Sequence, residues 1–165
     1  MNPTHRSITE QFPYWQRAAV PAPIHSAQAH ILLGCGTSYY LAQSVAAALN
    51  VAGVPALAVP GGEWLARPGA YLPAGTPAHI LAFSRSGEST ETVQAAHRSR
   101  ADGHHVTAVT CEAGSSLAQA ADEVLYAETH PEEGIVMTSS ASLMLLTGLR
   151  LAGLAFHEED VLASQ

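Results

Sequence analysis

Three short stretches of this chain place glycines and hydroxyl side chains where a ligand can be gripped. Gly34-Cys35-Gly36-Thr37-Ser38 follows one apolar run, and Ser84-Arg85-Ser86-Gly87-Glu88-Ser89 follows another. Glu133-Gly134-Ile135-Val136-Met137-Thr138-Ser139-Ser140 opens an apolar segment of helical length. Glycine lets the main chain approach a bound group closely. A helix start offers unpaired N–H groups and partial positive charge. Ser and Thr hydroxyls add donors without formal charge. Together these features describe a cradle for an anion, and a phosphate is the expected occupant. For Ser38, Ser86 or Thr138 taken singly, plain helix capping is an equal reading, because Ser and Thr are favoured there. The serines crowded into Ser84–Ser89 exceed what one cap requires.

The elements that must carry these loops follow from the hydropathy pattern. His30–Cys35, Pro55–Val59, His79–Phe83, Val106–Thr110 and Glu123–Ala127 read as strands. Ser7–Arg17, Thr37–Val51, Glu63–Arg67, Glu88–Arg100, Ser115–Ala120 and Thr138–Phe156 read as helices. In the fourth of these, Glu88 and Glu91 stand near the start and His97, Arg98 and Arg100 at the end, which complements the helix dipole. The strands are apolar without alternation, as in a parallel sheet covered on both faces. Regular βα alternation then predicts a three-layer α/β/α, doubly wound domain with a five-stranded parallel sheet. Such sheets bind ligands at the carboxyl ends of their strands, where all these loops fall.

Composition narrows the chemistry. With 165 residues, 47% apolar and 13% charged, the chain is long enough for one domain with a real core, and disorder is excluded for most of it. The 7 basic residues are all arginine, so Schiff-base chemistry on a lysine and a P-loop lysine are excluded. A net charge of −7 without any basic cluster argues against nucleic acid as a partner. Ala141–Phe156 is interrupted by Thr147, Gly148, Arg150 and Gly153 and is no membrane span, and polar Met1–Glu10 is no signal peptide. Cys35 and Cys111 cannot make a disulfide framework, so a cytoplasmic domain is expected. No pair of side chains has metal-ligand spacing, and no metal is expected. Read as a dinucleotide fingerprint, Gly34-Cys35-Gly36 puts Tyr39 where a third glycine is needed, so no nucleotide cofactor is expected either. Cys35 reads as a small buried residue beside the pocket.

Through GCGTS (Gly34–Ser38), SRSGES (Ser84–Ser89) and PEEGIVMTSS (Pro131–Ser140), the chain resembles the SIS (sugar isomerase) domain family over nearly its whole length. The pattern is most like the first SIS domain of two-domain sugar-phosphate isomerases. These include the isomerase half of glucosamine-6-phosphate synthase and the tagatose-6-phosphate ketose/aldose isomerase group, whose opening segment Ser7–Glu10, Pro13 and Trp15 resemble. The resemblance implies a flavodoxin-like fold, a hexose or aminohexose phosphate as ligand, and no cofactor. It makes Ser38, Ser84, Ser86 and Ser89 hydroxyl ligands of the sugar phosphate and adds the main-chain N–H of Arg85. The direction of the Arg85 side chain is left open. Thr37 lies beside the sugar, Val136 and Thr138 line the far wall, and Glu88 orients its loop.

Aldose–ketose isomerisation needs a base, usually Glu, and often a His for ring opening. The resemblance points to the helix after the first strand, yet residues 39–51 hold no acid and no histidine. Glu63 and His130 remain as candidates, against a surface glutamate and a solvated loop histidine as the alternatives. In two-domain relatives the base comes from the second SIS domain. The chain therefore reads as the phosphosugar-binding half of an isomerase, paired with a second SIS domain or with another copy of itself. Two readings compete: a phosphosugar-sensing module without turnover, and a self-sufficient enzyme in which Glu63 or His130 reaches another subunit's site. Residues 1–22 form a helical lead, 23–157 the SIS domain, and 158–165 an acidic tail or the start of a linker.

Overall fold

Five parallel strands in the order β2-β1-β3-β4-β5 form the middle layer of the computed structural model, which describes residues 2–26 and 28–154. They are β1 (Ala29–Gly34), β2 (Ala56–Pro60), β3 (Ala78–Phe83), β4 (His105–Thr110) and β5 (Glu123–Tyr126). Successive side chains point to opposite faces, and each face has its own core. Leu32, Leu81, Phe83, Val109 and Leu125 meet α3 (Thr37–Val51) and α7 (Ser139–Leu151). Ile31, Leu33, Ile80, Ala82, Val106 and Ala108 meet α4 (Gly61–Ala66), α5 (Thr90–Ala101) and α6 (Ser116–Ala120). This is the predicted three-layer architecture.

The helices α3 and α7 are neighbours on their face because Gly148 has no side chain; a Cβ there would collide with Val45. The strand order reverses between β1 and β3, so α3 and α5 leave adjacent strands toward opposite faces. The crevice between their starts is where a doubly wound sheet takes its ligand.

Several boundaries depart from the sequence expectation. The helix expected over Ser7–Arg17 is two helices, α1 (Pro3–Thr9) and α2 (Phe12–Arg17). Pro13 explains the break, since its ring within a continuous helix would strike the Thr9 carbonyl. The Asn2 side chain caps α1 by accepting from the Thr4 N–H at 2.9 Å. Helix α5 begins at Thr90, not Glu88, because Gly87 turns the chain at φ +65°. Glu88 instead reaches α6, accepting from the Ser116 N–H at 2.9 Å and the Ser116 hydroxyl at 2.7 Å. Helix α7 stops at Leu151, short of the expected Phe156, with Gly153 at φ +79° just beyond. The tail 158–165 lies outside the described residues.

At the amino ends of the strands the register aligns three histidines on the α3/α7 face. His30 pairs with His79 and His79 with His105, with ring centroids 5.4 Å and 5.0 Å apart. The His79 Nε2 donates to the Thr107 hydroxyl at 2.8 Å, and Thr107 donates to Glu123 at 3.3 Å. His105 stands 3.7 Å from Asp122, which also pairs with Arg100.

Candidate functional site

At the opposite edge of the sheet, β1 ends and the chain turns at once into α3. A Cβ on Gly34 would lie 2.7 Å from the main chain of Ser38 and Tyr39, so only glycine lets the first turn of α3 fold back over the strand. No side chain caps α3, whose N-cap is Gly36 at φ 54°. Nor does any side chain cap α5, whose N-cap is Ser89. Both helix starts therefore keep main-chain donors for an outside acceptor.

Between them lies the loop after β3. The Ser84 hydroxyl accepts from the Gly87 N–H at 3.1 Å and donates to Ser89 at 3.2 Å. Ser86 accepts from the Glu88 N–H at 3.2 Å. These bonds build the turn, and they leave the hydroxyl protons of Ser86 and Ser89 uncommitted. A Cβ on Gly87 would strike the side chain of Ser115, so this turn is locked against the loop that precedes α6.

A cavity of about 380 Å³ opens here, bordered by Thr37, Ser38, Ser84, Arg85, Ser86 and Ser89. Cys35 lies at its base, and Ile135, Val136 and Met137 form the far wall. Seven of the residues named from sequence are thus brought to one hollow, Val136 being the seventh. Among the described residues Arg85 is the one charged side chain on its walls. Its guanidinium Nη1 donates to the carbonyls of Gly134 at 2.7 Å and Ile135 at 3.0 Å. Larger hollows exist, of about 750 Å³ between α1, α2 and His130 and about 480 Å³ beside Trp64. Neither is lined by a serine.

The third loop behaves differently from the other two. The Glu133 carboxylate accepts from the N–H and hydroxyl of Thr138, from the Ser140 N–H at 3.1 Å and from the Thr129 hydroxyl at 2.7 Å. Burial pushes its carboxyl up, but these donors outweigh burial and hold it below the usual carboxylate range. Helix α7 thus carries its own anion. Thr138 stands behind the cavity wall, bonded to Glu133 and 2.8 Å from the Ser7 hydroxyl of α1. The sequence reading missed Glu133 and the wall residues Ile135 and Met137. An acid a few residues ahead of a Thr/Ser helix start was the available signal for the first.

The remaining candidates sit elsewhere. Glu63 pairs with Arg67 at 2.6 Å on α4 and receives the Tyr71 hydroxyl at 3.4 Å, away from the cavity. His130 is buried, only 4% exposed, rather than a solvated loop residue. Its Nδ1 accepts from the Glu132 N–H at 3.2 Å, so Nε2 carries the proton given to Glu10 at 3.1 Å. Both ring nitrogens are hydrogen-bonded within the chain, and His130 is not among the residues that border the cavity of about 380 Å³. Burial pushes the Cys111 thiol up to about 12, so it is no nucleophile. Among the described residues no cluster of His, Cys, Asp and Glu is arranged to hold a metal ion. No helix among them is long and apolar enough to cross a membrane.

Comparison with known proteins matches the SIS domain family over residues 24–152. A glutamine–fructose-6-phosphate aminotransferase (isomerizing) from Pyrobaculum aerophilum is 31% identical over 116 residues, 70% of this chain and 19% of that protein. Among solved structures, glucosamine-6-phosphate deaminase from Thermotoga maritima is similar at a TM-score of 0.75 and 27% identity, over 92% of this chain and 48% of the other. Tagatose-6-phosphate ketose/aldose isomerase from Escherichia coli gives 0.75 and 24%, over 91% and 47%. The chain thus spans about a fifth of that curated relative and about half of each of these structures.

Proposed function

The chain belongs to the SIS domain family, and from that premise we propose that it binds a hexose or aminohexose phosphate in the cavity between α3 and α5. Its class is that of an aldose–ketose or aminosugar-phosphate isomerase, with the base supplied by a second SIS domain. One observation carries this reading. Two helix starts that no side chain caps border a single hollow with the hydroxyls of Ser38, Ser84, Ser86 and Ser89. Donors without a competing carboxylate suit a dianion. The relatives support the ligand class, since the similar proteins are named for 6-phosphates of fructose, glucosamine and tagatose.

The need for a second SIS domain is supported by the cavity walls, which among the described residues hold neither carboxylate nor imidazole. Helix α3 contains no charged residue, and Tyr40 and Val51 on its outer side are 66% and 91% exposed, which suits pairing with a like-charged second copy. The same walls favour a second reading, a phosphosugar-sensing module without turnover. An isomerase assay on the assembled protein separates the two.

Binding is tested by thermal-shift titration with hexose and aminohexose 6-phosphates, using free sugars and inorganic phosphate as controls. Sugar phosphates should raise the melting temperature well beyond phosphate alone. Ser86→Ala should weaken the dissociation constant about tenfold, the worth of one charge-assisted hydrogen bond. No shift with any sugar phosphate would refute binding by this chain.

A further inference from the structure

We propose that the Arg85 side chain is a positioning residue that sets the far wall of the cavity, and with it the preference for a sugar phosphate over bare phosphate. This rests on the phosphosugar reading above, but its geometry is independent of any ligand.

Arg6, Arg17, Arg67, Arg98 and Arg100 each face a carboxylate. Arg85 has no such ion pair among the described residues. Its guanidinium is committed to two neutral carbonyls, of Gly134 at 2.7 Å and Ile135 at 3.0 Å. A charged donor makes these stronger than ordinary hydrogen bonds. The next two residues, Val136 and Met137, line the cavity.

Among the described residues little else holds this tip. Ile135 is 94% exposed and Val136 70%, so burial does not fix them. Glu133 secures the base of the loop at Thr138 and Ser140, leaving Arg85 as the tie at its apex. Arg85 and Ser86 also border a second hollow of about 320 Å³, lined behind them by Cys111, Tyr126 and Thr129. Without the guanidinium the tip can move, and the two hollows lose the partition between them. The main chain of Arg85 serves a different role. Its carbonyl accepts from the Cys111 N–H at 3.0 Å, which fixes the turn that carries the serines.

The test uses the full chain with Arg85→Ala and Arg85→Lys. Calorimetric titrations with inorganic phosphate and with fructose 6-phosphate are set beside amide hydrogen exchange over residues 131–138. In Arg85→Ala the fructose 6-phosphate dissociation constant should rise about tenfold, phosphate should stay within about twofold, and exchange at 131–138 should quicken about tenfold. Arg85→Lys, which keeps the charge and one carbonyl contact, should recover part of the exchange protection, and it reads the same ratios if the alanine variant fails to fold. Equal weakening of both ligands would overturn the proposal, because the guanidinium would then bind the anion itself. Unchanged exchange at 131–138 would overturn it as well. If the wild-type chain binds neither ligand, the binding reading fails while the exchange measurement still decides the role of Arg85.

Discussion

Lowering the pH should loosen the amino ends of β1, β3 and β4, because the fold holds His79 against protonation. Burial, and then the neighbouring His30 and His105, push its imidazole from the usual 6.5 down to about 4. Burial lowers His30 too. The unfolded chain therefore takes up a proton between those two values that the fold refuses. The stabilisation is complete above about 6.5 and disappears as the pH falls through that window toward about 4. A gap of about 2.5 is worth about 3 kcal/mol if fully realised. His79 is partly solvated at the sheet edge, and screening reduces this to about 1–2 kcal/mol. The hydroxyl of Thr107, tied to Glu123, and Asp122 beside His105 are the groups that could accommodate a proton on the ladder. The assay is urea denaturation of wild type and His79→Gln at about pH 7.5 and about pH 5. Glutamine retains a donor for Thr107 but does not titrate. Wild type should lose about 1–2 kcal/mol more than the variant on acidification. Equal losses in the two proteins would refute the reasoning and place the acid sensitivity elsewhere.

Gly87→Ala should destabilise the chain by about 1–3 kcal/mol and abolish sugar-phosphate binding, since φ there is +65° and the new methyl meets Ser115. Thermal melting and the phosphosugar titration check both halves, and a variant that melts and binds like wild type would show the turn to be adaptable. Light scattering should give twice the chain mass at micromolar concentration, with Tyr40→Glu on the uncharged outer side of α3 restoring the single mass. A monomeric wild type would remove α3 as a self-association face.

What could be read from the chain beforehand was whatever depends on neighbours in sequence. The loops at Gly34–Ser38 and Ser84–Ser89 were legible because an apolar strand, a glycine and a hydroxyl at a helix start are local signals. The five strands and their order of helices were legible for the same reason. Four features were not. The histidine ladder joins residues 30, 79 and 105 only through the register of parallel strands. The bond from Glu88 to Ser116 crosses 28 residues, so Glu88 looked like a first-turn acid of α5 when it caps α6. Glu133 depends on a loop folding back over its own helix start, which no fixed spacing announces. The direction of Arg85 likewise follows from the loop it meets 49 residues later.

Helix α1 carries a consequence for how the protein is made. Its contacts are Arg6 with Glu132, Ser7 with Thr138 and Glu10 with His130, at separations of 126, 131 and 120 residues. On the ribosome α1 emerges long before its seat exists. Both serine-bearing turns can form once the chain through α6 has been translated, whereas the wall at 131–138 and its buttress must wait for almost the entire described chain. Closing so long a loop is entropically slow. The proposed phosphate cradle is therefore expected to mature early in synthesis, and the wall proposed to enclose the sugar last.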